Sequence, residues 1–205
     1  MIRAMTKQRT VESKSTIASK SIDRGGRSEK RTEVNEDELR EAISLELELL
    51  SEIDYRLDPK PGQREGVAAF RRLIAGFTDQ TVIEDPALLA LILIRLRDLQ
   101  VRDFALGCMD RESLKVHVEM WRWVVRIAPT TYLAPPATLL SATAYEVGDE
   151  QLAREALTQA LEADEEYPLA LLLKRVFAAG WPAETFATMR TELHPKITAA
   201  IFDES

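Results

Sequence analysis

From Asn35 onward the apolar residues recur at the three-and-four spacing of an α-helix, and the breaks carry start or stop signals such as Asp85-Pro86, Pro135-Pro136 and Gly148-Asp149. No segment alternates apolar and polar residues for long enough to build a sheet. The pattern predicts an all-α chain of about nine helices. Asn35 has Glu38 in capping-box position, and Leu39, Ile43, Leu47, Leu50 and Leu57 hold one face until Pro59, Pro61 and Gly62 break the run. A second helix is expected over residues 63–77, with Val67, Phe70, Ile74 and Phe77 on one side. The third opens at Asp85-Pro86 and is too apolar for a surface helix. Residues 101–109 form a fourth, with Val101, Phe104, Ala105 and Cys108 together, and Asp110 caps the next.

That fifth helix, residues 112–128, confines Lys115, Glu119, Arg122 and Arg126 to roughly a sixth of its circumference. From Leu114 on the rest is apolar except His117, so this helix is expected to be the central element, with Met120, Trp121, Trp123 and Val124 as its bulk. Pro136 then starts a helix to Val147, Gly148 closes it as a left-handed cap, and Asp149 caps another that runs to Ala163. A further antiparallel pair is expected over residues 168–179 and 182–193, and a last turn or two after Pro195.

Charge divides the chain. Residues 1–32 hold nine Lys/Arg against three Asp/Glu and no aromatic residue. They bury too little to offset ordering entropy, so residues 1–33 read as a disordered basic arm and residues 34–205 as one helical domain. With −7 on the whole chain and +6 on the arm, the remainder carries −13. An acidic body repels phosphate, so contact with nucleic acid is expected only through residues 1–32. One cysteine and two histidines leave no disulfide framework and little material for a metal site, and no metal or cofactor is expected. The longest apolar run, residues 87–94, is far short of the about 20 residues that span a membrane. No apolar stretch follows Arg3, Lys7 and Arg9 as in a secretory signal, so the expectation is a cytoplasmic protein.

Residues 137–165 resemble a degenerate tetratricopeptide hairpin. Ser141 faces Ala153 where the two helices touch, and Leu140, Gly148-Asp149, Ala160-Leu161 and Asp164 fall at the repeat's spacing, while its aromatic positions are Ala137 and Ala144 here. Over residues 85–193, Leu96-Arg97-Asp98-Leu99-Gln100-Val101-Arg102-Asp103, the helix end from Trp121 to Ala128-Pro129, and Tyr132-Leu133-Ala134-Pro135-Pro136 carry a wider likeness. This span is similar to the C-terminal half of actinobacterial proteins grouped as domain-of-unknown-function family 4192. The resemblance implies a short member or a C-terminal piece of a longer one, a cytoplasmic setting, and no particular activity.

No nucleophile with a base, carboxylate pair, phosphate loop or ligand spacing is apparent. His117 reads as a hydrogen-bonded core histidine, His194 as a helix-end residue before Pro195, and Cys108 as a small hydrophobe. Gly25-Gly26 has no strand before it. The candidate binding residues are Arg102 and Asp103, adjacent opposite charges in an apolar stretch, and Arg122, which lies between two tryptophans and is placed to stack on a partner. For these the plainer readings are a structural ion pair and a solvated strip. The expected function is a non-enzymatic helical scaffold or adaptor that presents a groove to a protein or peptide partner, with basic partners favoured by the −13 charge. The alternatives are a nucleic-acid-associated accessory protein using the arm, and a fragment of an enzyme whose site needs a missing N-terminal region.

Overall fold

Nine α-helices, one 3-10 turn and no strand make up the residues described by the computed structural model: 35–51, 58–81 and 83–203. All of them fall in one unit, Val34–Ser205, and the expected basic arm lies outside the described residues. In order the elements are α1 (Glu36–Ser51), α2 (Pro59–Thr78), α3 (Pro86–Arg95), α4 (Leu99–Gly107), α5 (Leu114–Ile127), the 3-10 turn (Thr130–Tyr132), α6 (Ala134–Glu146), α7 (Glu150–Ala163), α8 (Pro168–Ala178) and α9 (Ala183–Phe202). No helix among the described residues is long and apolar enough to cross a membrane.

Asparagine and aspartate caps set most of the starts. Asn35 Oδ1 accepts from the Asp37 and Glu38 amides, Asp85 from Leu88, Asp98 from Gln100 and Val101, and Asp149 from Leu152. Gly148, with φ of 82°, ends α6 in the left-handed region as its position before Asp149 predicts. Pro59 and Pro61 act differently from expectation. They begin α2 instead of delaying it to residue 63, because Asp58 accepts from the Lys60 amide and a proline in the first turn removes an N–H that has no helical partner.

The charged strip of α5 lies outward as the sequence predicts, with Lys115, Glu119, Arg122 and Arg126 all exposed. Trp121 is fully buried and stacks on Phe70 of α2, ring centroids 5.7 Å apart and planes 12° from parallel. The central element is nevertheless α6, in which every residue from Ala134 to Ala144 is buried. Alanine, serine and threonine fill this helix, so α5 and α7 approach it closely on two sides. The Ser141 hydroxyl donates to the Ala153 carbonyl at 2.7 Å, the contact predicted for the α6–α7 hairpin. Thr138 and Thr143 bond back to the carbonyls four residues earlier, which satisfies their buried hydroxyls.

The last two helices depart from the expected pair. α9 packs on α4, α2 and α6 and scarcely touches α8. It also runs unbroken through Pro195, whose missing N–H removes one bond, to the Thr191 carbonyl, while Phe186, Arg190 and Ile201 remain buried along it. Tertiary burial on both sides of the proline holds this helix together.

His117 is 2% exposed, its ring lies 6.0 Å from Phe70, and its Nδ1 is buried without a hydrogen-bond partner. It is thus a core histidine as expected, but its Nδ1 is not hydrogen-bonded. Burial pushes its pKa down to about 4, and nearby Asp110 opposes that only in part. The unfolded chain, at the ordinary value near 6.5, therefore takes up a proton first as pH falls. The neutral ring's contribution is complete above about pH 6.5 and is lost on the way down to about pH 4. Between pH 7 and 5 the wild-type chain is expected to lose about 2 kcal/mol of stability by denaturant titration. His117→Phe should remove most of that slope, and an unchanged slope would show that this ring is not the cause.

Candidate functional site

Arg102 and Asp103 are together, as adjacency dictates, and form an ion pair. Arg102 is 7% exposed, and its Nε and Nη2 donate to one carboxylate oxygen of Asp103 at 2.8 and 2.6 Å. Its guanidinium carbon lies 5.8 Å from the centre of the Tyr167 ring, which joins α4 to the turn before α8. Burial opposes the guanidinium charge, and the Tyr167 phenol and Asp103 carboxylate outweigh it and hold the Arg102 pKa above its ordinary value. Arg122 stands apart on the exposed strip of α5, with no ion pair among the described residues.

The other residues weighed in the sequence, Cys108 and His194, lie at the end of α4 and within α9. Cys108 is half-buried, donates to the Ala105 carbonyl, and has its thiol pushed up to about 12 by burial, so it is no nucleophile near neutrality. His194 does not end a helix. It sits in the middle of α9 against Gly107 of α4, where a Cβ added to the glycine would collide with the His194 ring. Its ring is 5.0 Å from that of Phe104, and burial with Arg190 and Arg71 nearby lowers its pKa. Among the described residues no group of three or more His, Cys, Asp or Glu is placed to hold a metal ion.

The sequence reading missed the most buried ion pair. Arg190 of α9 and Glu146 at the end of α6 have side chains 4% and 3% exposed. Arg190 Nε and Nη2 donate to the two Glu146 oxygens at 2.7 Å each, and its Nη1 donates to the carbonyls of Met109 at 2.5 Å and Gly107 at 3.2 Å. One guanidinium thus joins α9, α6 and the C-terminal end of α4, with the bidentate fork that favours arginine at such positions. The signal available in the sequence was a charge on the apolar stripe of α9, four residues after Phe186.

Beside this pair opens a cleft of about 510 Å³ between α9 and the α4–α5 turn. Met109, Leu114, Ala183 and Ala187 supply its apolar surface. Asp110 and Arg111 stand on one wall, Glu184 and Glu192 on the other. The Ser113 amide donates to the Asp110 carboxylate at 2.8 Å, and this with the Ser113 hydroxyl lowers the Asp110 pKa and keeps it an anion. The hydroxyls of Thr188 and Thr191 bond back to carbonyls of α9, and Glu146 is consumed by Arg190. No side chain lining the cleft is paired as nucleophile with base. A smaller recess of about 330 Å³ lies between the turns at Gly148 and Gly180 and is lined by Tyr145, Phe177 and Trp181. Its charges, Glu150 and Arg154, pair with each other at 2.9 Å and leave no net charge.

A family model described as Domain of unknown function (DUF4192) matches residues 4–184. The match reaches well ahead of residue 85, where the resemblance read from motifs begins, and stops near the start of α9. No curated protein and no solved structure matches the chain.

Proposed function

The chain belongs to the DUF4192 family, and on that premise we propose that it is a non-enzymatic helical scaffold, acting in the cytoplasm, that docks a segment of a partner protein. One observation carries the reading: the cleft beside Arg190 has an apolar floor, polar groups largely bonded to its own frame, and no free catalytic pairing. Such a surface suits burial of side chains from another chain. The α6–α7 hairpin, closed by the Ser141 bond to Ala153, adds the paired-helix geometry that tetratricopeptide-like proteins use for peptide contact. The α7–α8 contact extends that pairing by one helix only.

The test fills the cleft. Ala187 is half-buried on its wall, so Ala187→Trp in the full chain should occupy the space while leaving helix content and melting temperature unchanged. Partner capture by the tagged protein is expected to fall at least tenfold relative to Gln159→Trp on the exposed side of α7. Undiminished capture by Ala187→Trp, or recovery of nucleic acid alone, would overturn the scaffold reading.

A further inference from the structure

Several surface carboxylates are paired within the fold: Glu36 with Arg126, Glu65 with Arg95, Asp85 with Arg72 and Glu150 with Arg154. Glu184 and Glu192 are not. Both are exposed, both line the cleft, and neither has an ion-pair partner among the described residues. They lie eight residues apart on one face of α9, about 12 Å along its axis, with Thr188 between them. Across the cleft Asp110 is held as an anion by Ser113, and Arg111 is the opposing cation. With Glu146 and Arg190 neutralising each other, the cleft presents three carboxylates against one guanidinium, a net −2.

We propose that the cleft between α9 and the α4–α5 turn receives a basic amphipathic segment of a partner protein, with Lys or Arg side chains on Glu184, Glu192 and Asp110 and an apolar face on Met109, Leu114 and Ala187. The identification rests on the scaffold reading and adds the chemistry of the occupant. Charge selects it, because an anionic segment or a phosphate backbone meets repulsion both from the cleft and from the −13 of residues 33–205. Shape agrees. Lysine and arginine carry apolar stems that cover a floor of this kind while their charged ends reach a carboxylate rim. A partner helix with basic residues two turns apart matches the spacing of Glu184 and Glu192. The buried Arg190–Glu146 fork keeps α9, and with it this spacing, fixed relative to the α4–α5 turn before anything binds.

The experiment is fluorescence anisotropy with the full chain and a labelled amphipathic peptide of leucine and lysine, its lysines at i, i+4 and i+8. Binding is expected to weaken about tenfold in the double variant Glu184→Lys with Glu192→Lys, and by a similar factor as salt rises from about 50 to 300 mM. Glu155→Lys with Glu162→Lys makes the same change in net charge on α7 and should leave binding within about twofold. Equal weakening by both double variants means that total charge, not the cleft, attracts the peptide, and overturns the proposal. Equally tight binding of a peptide with glutamine in place of lysine also overturns it. Absence of peptide binding, with partner capture still lost in Ala187→Trp, overturns the basic occupant alone. Capture retained in Ala187→Trp overturns the scaffold reading with it.

Discussion

Arg190→Ala is expected to destabilise the domain by about 3–5 kcal/mol in denaturant titration. The loss has several parts with one origin. Glu146 would keep a carboxylate that is 3% exposed with no cation to meet it, and the carbonyls of Met109 and Gly107 would lose the donors that hold the end of α4. Because α9 packs mainly through α4, α2 and α6, losing this fork loosens the whole helix from the body. Arg190→Lys keeps the charge but not the fork and should fall between wild type and alanine. A double change of Arg190→Met with Glu146→Leu removes both charges and is expected to recover much of the stability. If the double variant is as unstable as Arg190→Ala, the uncompensated carboxylate is not the main cost.

Trp121→Ala is the second large effect, about 3–5 kcal/mol, because it empties the space under Phe70 at the junction of α2 and α5. Lys115→Ala, one and a half turns earlier on the same helix but on the exposed strip, should stay within about 0.5 kcal/mol. The contrast is a test of rotation: if the two substitutions cost the same, α5 does not present Trp121 inward. Both helices keep their hydrogen bonds in these variants, so the difference reports packing alone.

What the sequence made legible is what is local. Caps and stops at Asn35, Asp85, Gly148 and Asp149 act within one turn, and the charged strip of α5 is a property of one helix. The Ser141–Ala153 contact was readable because the two residues face each other across a short turn. The errors came from features whose meaning depends on distant parts of the chain. Pro59 and Pro61 read as breakers until Asp58 is seen to cap the helix they begin. Small residues hid the central place of α6, since alanine and serine signal burial only when the helices that close on them are known. The path of α9 away from α8, its continuity through Pro195 and the pairing of Arg190 with Glu146, 44 residues earlier, are all non-local. The candidate site suffered most for that reason. Arg102 and Asp103 were rightly seen as an ion pair, yet the cleft is made by elements that adjacency in sequence does not bring together.

The central claim, a protein segment docked beside Arg190, is tested most directly by photocrosslinking from inside the cleft. A photoreactive side chain placed at Thr188 of the full chain, in the native host, should give discrete protein adducts whose crosslinked peptides are rich in Lys and Arg, while the same group at Gln159 on α7 should give none above background. Equal protein adducts from both positions, or nucleic acid as the only species captured from Thr188, would contradict the account.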